Sequence, residues 1–247
     1  MFFFISVTNF LVVTSGENDS GFLSQTETLA IGKNSDPPNY PDHPRSVYGA
    51  TGGFLHHDFI TCGGDEGASG EDSSHPTNYC FKLGSEEPFA KMIKKRYSAA
   101  SIVFEPGKLW ILGGWDENDN SLSSTEFIFS DGRNEEGPPM PIALYGHAMV
   151  KINSTTSLLV GGWASWSDYS KRTWYYDEKW HIGPDLQKAR SSHSVGIVRD
   201  SVTDQVYVVV AGGFNNRNNN VDNYPMNDVE ILSVTGTAWE TGNLLKH

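Results

Sequence analysis

Cysteine is almost absent from this chain: Cys62 and Cys80 are the only two in 247 residues. That excludes a disulfide-rich scaffold and a zinc site built on four thiolates. Long apolar runs are missing too. Residues 2–13 form the longest, which is too short to cross a bilayer, so no membrane span is expected. Basic residues are few, with 18 Lys and Arg against 30 Asp and Glu and a formal net charge of −12. The one basic cluster, residues 91–96, reads as a solvated edge between strands, and nucleic acid is excluded as an electrostatic partner. Recognised catalytic signatures are also lacking: there is no G-x-S-x-G elbow, P-loop or H-E-x-x-H. No catalytic residue, metal or cofactor is expected.

What the chain does have is glycine in a fixed place. Residues 109–115 read L-W-I-L-G-G-W, and the same form of apolar run into a glycine pair recurs at 58–64 (D-F-I-T-C-G-G), 157–163 (S-L-L-V-G-G-W) and 208–214 (V-V-V-A-G-G-F). A degenerate copy, F-L-V-V-T-S-G, ends at Gly16. From Gly16 to Gly64, Gly114, Gly162 and Gly213 the steps are 48, 50, 48 and 51 residues. A repeat of about fifty residues is the sequence signature of a stacked or radial architecture. Each run is short, β-branched or aromatic, and stopped by glycine, which predicts a buried strand entering a turn that needs positive φ or close backbone approach.

Each glycine pair is preceded by another strand-like run, at 46–54, 97–105, 145–152 and 191–199, and followed by a polar loop. A third run comes next, at 27–31, 77–83, 124–129, 173–177 and 228–234, and a weaker fourth shows best at 179–182 and 238–241. Four short antiparallel strands per unit, without helices, predict the blade of a β-propeller. The glycine pairs, the third-strand aromatics Tyr175 and Tyr176, and the fourth-strand tryptophans Trp180 and Trp239 resemble the kelch repeat over nearly the whole chain. The resemblance implies an all-β, kelch-type propeller in a single domain, residues 1–247, with units at about 1–44, 45–95, 96–143, 144–189 and 190–247. Kelch-like propellers more often have six or seven blades, so five four-stranded blades imply a truncated or incomplete six-bladed propeller, with apolar faces left open.

Aligned on the glycine pairs, Arg45, Arg96 and Arg190 share one position ahead of the innermost strand, with Leu144 in the fourth place. An arginine ring at the axial mouth would grip an acidic peptide; alternatively each arginine pairs with a neighbouring blade's carboxylate or backbone carbonyl. Tyr48, His147 and His193 follow at matching positions and would line the central channel. The two histidines alone are channel filling rather than a metal site. Trp163, Trp166 and Tyr169, in a loop after a glycine pair, are the kind of residues that anchor protein interfaces.

Cys62 and Cys80 fall on neighbouring strands of one unit and are either a bridge or two half-buried thiols. A bridge, together with the sequons at Asn18 and Asn153, would favour a secreted glycoprotein over a cytoplasmic protein. Residues 1–15 are either a signal segment lacking its charged n-region or a first hairpin, 2–7 with 10–14, and the regular step to Gly16 favours the hairpin.

These observations converge on a non-enzymatic module whose loops and axial mouth bind a partner protein or peptide. The alternatives are a galactose-oxidase-like or sialidase-like enzyme on a propeller, since fold alone does not fix function, and the substrate-recognition propeller of a ubiquitin-ligase adaptor.

Overall fold

The apolar runs become strands because β-branched and aromatic side chains pack well on a pleated surface and glycine stops each run. The structure, a computed structural model, describes residues 3–7, 10–18, 21–30, 39–67, 74–164, 168–216 and 223–242. No helix occurs among them. Contacts group into two compact units, Met1–Pro139 and Met140–His247.

The first unit opens with a three-stranded antiparallel sheet, β1 (Phe3–Val7), β2 (Phe10–Asn18) and β3 (Gly21–Ala30). The first two of these form the hairpin expected near the start of the chain. Two four-stranded sheets follow in simple up-and-down order. One is β4 (Thr51–Leu55), β5 (Asp58–Cys62), β6 (Tyr79–Lys82) and β7 (Ala90–Lys91); the other is β8 (Ala100–Glu105), β9 (Lys108–Leu112), β10 (Thr125–Phe129) and β11 (Asn134–Gly137). Leu55, Ile60 and Cys62 of one pack on Leu109, Ile111 and Ile128 of the other in a single buried cluster, each side chain stabilising by about 1.5–3 kcal/mol.

The second unit holds β12 (Ala148–Lys151), β13 (Ser157–Val160), β14 (Thr173–Tyr176) and β15 (Trp180–Ile182), then β16 (Ser194–Arg199) and β17 (Val206–Ala211). A two-stranded ribbon, β18 (Phe214–Asn216) and β19 (Asn223–Pro225), precedes β20 (Val229–Ser233) and β21 (Glu240–Thr241), which complete the last four-stranded sheet. Leu158 and Val160 pack on Val208, Val210 and Leu232. Trp239 is buried and donates its indole N–H to the Pro184 carbonyl, 2.9 Å away, anchoring the connector between the two sheets.

Within each unit the glycine pairs are the joints between successive sheets. The second glycine donates its N–H to a carbonyl at the head of the next sheet: Gly64 to Arg96 at 3.0 Å, Gly162 to Arg190 at 2.8 Å, and Gly16 to Val47 at 3.0 Å. Meanwhile the first glycine lets that carbonyl press against its Cα. A Cβ at Gly63 would collide with the Arg96 carbonyl oxygen, and one at Gly161 would lie 2.7 Å from that of Arg190. Both residues of each pair are left-handed, at φ 67° and 102° for Gly63 and Gly64 and 60° and 102° for Gly161 and Gly162, a conformation that glycine adopts at no steric cost. In the degenerate copy, Ser15 takes the first place at φ 56°, with a bulge in the ladder between Thr14 and Gly16.

These bonds set the true register. The carbonyl at the head of each inner strand belongs to Val47, Arg96 or Arg190, and each is followed two residues later by a left-handed residue, Gly49, Ser98 or Ser192. The same spacing before Gly146 puts Leu144 in the fourth place. Arg45 is therefore not the counterpart of Arg96 and Arg190; it lies two residues too early, and Val47 holds the position.

Arg96 and Arg190 are 1% and 0% exposed, so they form no exposed ring; both are paired, but with groups of their own sheets and not of a neighbouring blade. The Arg96 guanidinium donates to the Gly113 and Ser124 carbonyls and to Glu126, 2.6 Å away. The Arg190 guanidinium donates to the Gly212 carbonyl and to Glu230, 2.7 Å away. Each glutamate also accepts from its connector, Glu126 from the Ile93 and Lys94 N–H groups and Glu230 from those of Gln187 and Lys188. A buried carboxylate is tolerated because it is paired and fully hydrogen-bonded. By ladder register, Glu126 and Glu230 correspond to Phe81 and Trp174 in the other two sheets. Charge at the head of the inner strand thus goes with charge on the third strand, and Val47 and Leu144 go with aromatics.

His147 and His193 are buried, 3% and 5% exposed, and do not line an open channel. They correspond to Ala50 and Ala99, one place beyond the left-handed residue, whereas Tyr48 corresponds to Tyr97 and Tyr145. The His193 ring rests on Gly161, where a Cβ would lie 2.8 Å from it. Burial, then the charges of Arg190 and His147, lower the His193 pKa to about 3, with a hydrogen bond to the Val160 backbone opposing.

Cys62 and Cys80 are directly opposite on β5 and β6, Cα atoms 4.1 Å apart, and form a buried disulfide.

Three outcomes are expected. A Cys62→Ala, Cys80→Ala double variant loses about 3 kcal/mol in urea unfolding, the value for a closed loop of this length; an unchanged midpoint would show that the bridge contributes nothing. Arg96→Leu strands the buried Glu126 charge and costs about 3–5 kcal/mol. Adding Glu126→Trp, which copies Leu144 and Trp174, recovers part of that loss, so the double-mutant cycle gives a coupling of about 1–3 kcal/mol; strictly additive losses would refute the pairing. Finally, His193 stays neutral in the folded protein while the unfolded chain binds a proton near pH 6.5. Its contribution therefore reduces stability as pH falls from about 6.5 towards 3, by up to about 1.4 kcal/mol per pH unit. Unfolding free energies at pH 7 and pH 5 should converge in His193→Gln, and equal slopes in the two proteins would count against this.

Candidate functional site

Beyond each glycine pair the sheets continue as a short ladder at one end. Tyr48 bridges to Asp65 and Asp65 to Pro76; Tyr97 bridges to Trp115 and Trp115 to Ser121; Tyr145 bridges to Trp163 and Trp163 to Tyr169. The pairs exchange backbone hydrogen bonds, as in Tyr48 N–H to Asp65 O at 3.0 Å and Asp65 N–H to Tyr48 O at 2.8 Å. The left-handed residue after each tyrosine turns the chain into the inner strand, so the tyrosines are held at the loop end by rigid backbone.

In the first unit, Phe22 stacks on Tyr48 with ring centroids 5.7 Å apart, and Tyr48 lies 6.3 Å from Tyr97. Carboxylates surround this row. Burial first, then Glu17 and Asp65, raise the Tyr48 pKa. Burial, Asp65 and Tyr48, with Asp119 adding and a hydrogen bond to Ser74 opposing, push Tyr97 up to about 12. Beside the row lies a polar cleft of about 650 Å³ whose walls include Glu66, His75, Tyr79, Lys95, Glu117 and Asn118. Its lysine is already engaged, Lys95 pairing with Glu117 at 2.5 Å; Arg45, which is not in the lining, pairs with Glu66 of the wall at 2.8 Å and lies over the Tyr79 and Phe81 rings.

In the second unit, Tyr145, Trp163 and Tyr169 form a stack of three, with centroid separations of 5.4 and 4.9 Å. Trp163 and Tyr169 are thus brought together, while Trp166 lies outside the described residues. The sequence reading missed Phe22, Tyr97 and Tyr145. Alignment on the small left-handed residue, rather than on arginine, would have exposed Tyr48, Tyr97 and Tyr145 as one series.

Asn153 sits exposed in the β12–β13 hairpin, its Oδ1 accepting from the Thr155 and Thr156 N–H groups. Asn18 pairs with Gly21 at the end of the β2–β3 ladder. Among the described residues no group of three or more His, Cys, Asp or Glu side chains is placed to hold a metal ion.

No family model matches the chain, and no curated protein matches it significantly. Among solved structures, one described as "Structure of YjhT" superposes with a TM-score of 0.77 at 14% identity, covering 99% of this chain and 84% of that one. About one-sixth of that chain therefore has no counterpart here. With four four-stranded antiparallel sheets and glycine-pair joints between successive sheets within each unit, the protein is all-β with a β-propeller fold.

Proposed function

We propose that this is a kelch-type propeller, with β1–β3 as a fifth blade, that acts as a non-enzymatic binding module and takes a partner protein or peptide on its loop end. The kelch assignment is supported by the equivalent glycine joints and by the left-handed Ser15 and Gly16, which repeat that joint in the three-stranded sheet. The observation that carries the binding reading is the Phe22–Tyr48–Tyr97 row with Glu17, Asp65 and Asp119 around it. Amphipathic rings held by backbone contribute contact area at little entropic cost, and carboxylates beside aromatic faces suit a cation.

The partner's chemistry therefore changes from that expected of an arginine ring. Arg96 and Arg190 are consumed inside the scaffold and Arg45 is paired with Glu66. An acidic peptide would find no free arginine among these three and several carboxylates. A basic segment fits instead. The same facts weigh against the enzyme alternatives: a copper oxidase of the galactose-oxidase kind needs a cysteine for its tyrosine crosslink, and both cysteines are in the bridge; a sialidase-like arginine triad would need guanidinium groups that Glu126 and Glu230 already hold. A ubiquitin-ligase adaptor role would use this same surface for its substrate.

Fluorescence anisotropy with a labelled dodecapeptide rich in Lys and Arg, and with its Glu-substituted counterpart, tests this. The basic peptide should bind more tightly, with affinity falling as salt rises. Tyr48→Ala or Glu117→Gln should weaken it about tenfold, the loss of one good contact. Preference for the acidic peptide, or affinity unchanged in both variants, would reject the site.

A further inference from the structure

In the second unit the β12–β13 and β16–β17 connections are built on the same turn. In the first, Asn153 Oδ1 accepts the N–H groups of Thr155 and Thr156 at 2.9 and 2.8 Å. In the second, Asp200 Oδ1 accepts those of Val202 and Thr203, both at 2.8 Å. The turn thus needs one side-chain oxygen at its start and two backbone donors, which aspartate serves as well as asparagine. Two residues on, the side chain projects to solvent, Val202 being 91% exposed, so the turn asks for no hydroxyl there. The amide nitrogen of Asn153 and the hydroxyl of Thr155 are therefore both surplus to the fold.

Bonding fixes which amide atom faces outward. Oδ1 takes a third hydrogen bond, from Thr155 Oγ1 at 3.0 Å, and three donors around one atom identify it as the oxygen. Nδ2 has no acceptor among the described residues, and residues 153–155 are all exposed. Asn-Ser-Thr is the acceptor tripeptide for an N-linked glycan, and a substituent on Nδ2 here would break no hydrogen bond of the turn. An independent observation concerns the compartment. The bridge between Cys62 and Cys80 is buried between β5 and β6, and structural disulfides form and persist in oxidising surroundings such as the secretory lumen.

We propose that Asn153 carries an N-linked oligosaccharide, added in the same oxidising lumen in which the bridge forms. In the transfer, Nδ2 gives up one proton and bonds to the anomeric carbon of the first N-acetylglucosamine of a lipid-diphosphate-linked oligosaccharide. The bond from that carbon to the diphosphate oxygen breaks, and the lipid diphosphate leaves with the electron pair, balanced by the proton from Nδ2. The sugar is attached away from the aromatic stack of the same sheet. Lys151 pairs with Ser157 beside it, whereas Tyr145 pairs with Trp163 beyond the glycine pair, and from Ser157 to Trp163 the chain advances roughly 15–20 Å. The proposal does not rest on the loop-end binding, which uses different residues.

The test secretes the 247-residue chain from insect cells behind a cleavable leader and reads the tryptic peptide 152–171 by mass spectrometry, before and after peptide-N-glycosidase. Most of the secreted protein should carry the glycan, and the glycosidase should leave aspartate at residue 153. Asn153→Asp, which copies Asp200, and Thr155→Val, which copies Val202, should each abolish the glycan and still yield folded protein with Cys62 and Cys80 linked. Thr155→Ser should keep the glycan. Unmodified Asn153 in the secreted or the cell-retained chain, a glycan confined to Asn18, or a glycan that persists in Thr155→Val would each overturn the proposal. So would free thiols at Cys62 and Cys80 in the glycosylated protein, since bridge and sugar would then not share a compartment.

Discussion

Everything in this fold depends on one residue per unit, the one that heads the inner strand. Its carbonyl takes the N–H of the preceding glycine pair. Where it is arginine, its side chain also grips the carbonyl of its own unit's first joint glycine: Arg96 accepts from Gly64 and donates to Gly113, and Arg190 accepts from Gly162 and donates to Gly212. A single residue thus ties two successive joints, and the buried glutamate on the third strand holds the connector that delivers it. Removing water from a guanidinium and a carboxylate is costly, but besides pairing with each other they satisfy backbone groups at the joint and the connector, the Gly113 and Gly212 carbonyls and the Ile93 and Gln187 N–H groups among them.

How far the fold was legible follows from the same chemistry. The glycine pairs were visible because glycine takes the left-handed backbone at no steric cost and leaves room for a carbonyl against Cα, so their spacing was a direct reading of the joints. Strand order followed from the period. The fourth strands β7 and β11 were harder to see, because their residues Ala90, Lys91 and Asn134 to Gly137 are polar or small and pair by backbone alone. The disulfide was readable as one of two alternatives; only the register that sets Cys62 opposite Cys80 decides it.

The candidate site was less legible, and Arg45 shows why. Composition marks arginine as a binding residue, yet two of the three arginines singled out work inside the scaffold, and the third was aligned by identity rather than by backbone conformation. Tyr97 and Tyr145 escaped notice beside Tyr48 because a Tyr before a Gly or a Ser looks like an ordinary turn until positive φ at Gly49, Ser98 and Gly146 makes it a series. Residues that set the fold and residues that face a partner thus sit side by side in the chain, at Arg96 and Tyr97, and only burial distinguishes them.

The two-sided joint has an evolutionary corollary. Because each glycine pair asks its successor only for a carbonyl and an apolar face, copying or deleting an entire unit leaves all remaining seams matched, whereas an insertion of a few residues between joints puts the head of a strand out of phase. Val47 with Phe81 and Leu144 with Trp174 show that the head can be aliphatic when the third strand offers an aromatic in place of a carboxylate. Chains built this way can change length in whole steps while their loop-end surfaces diverge independently.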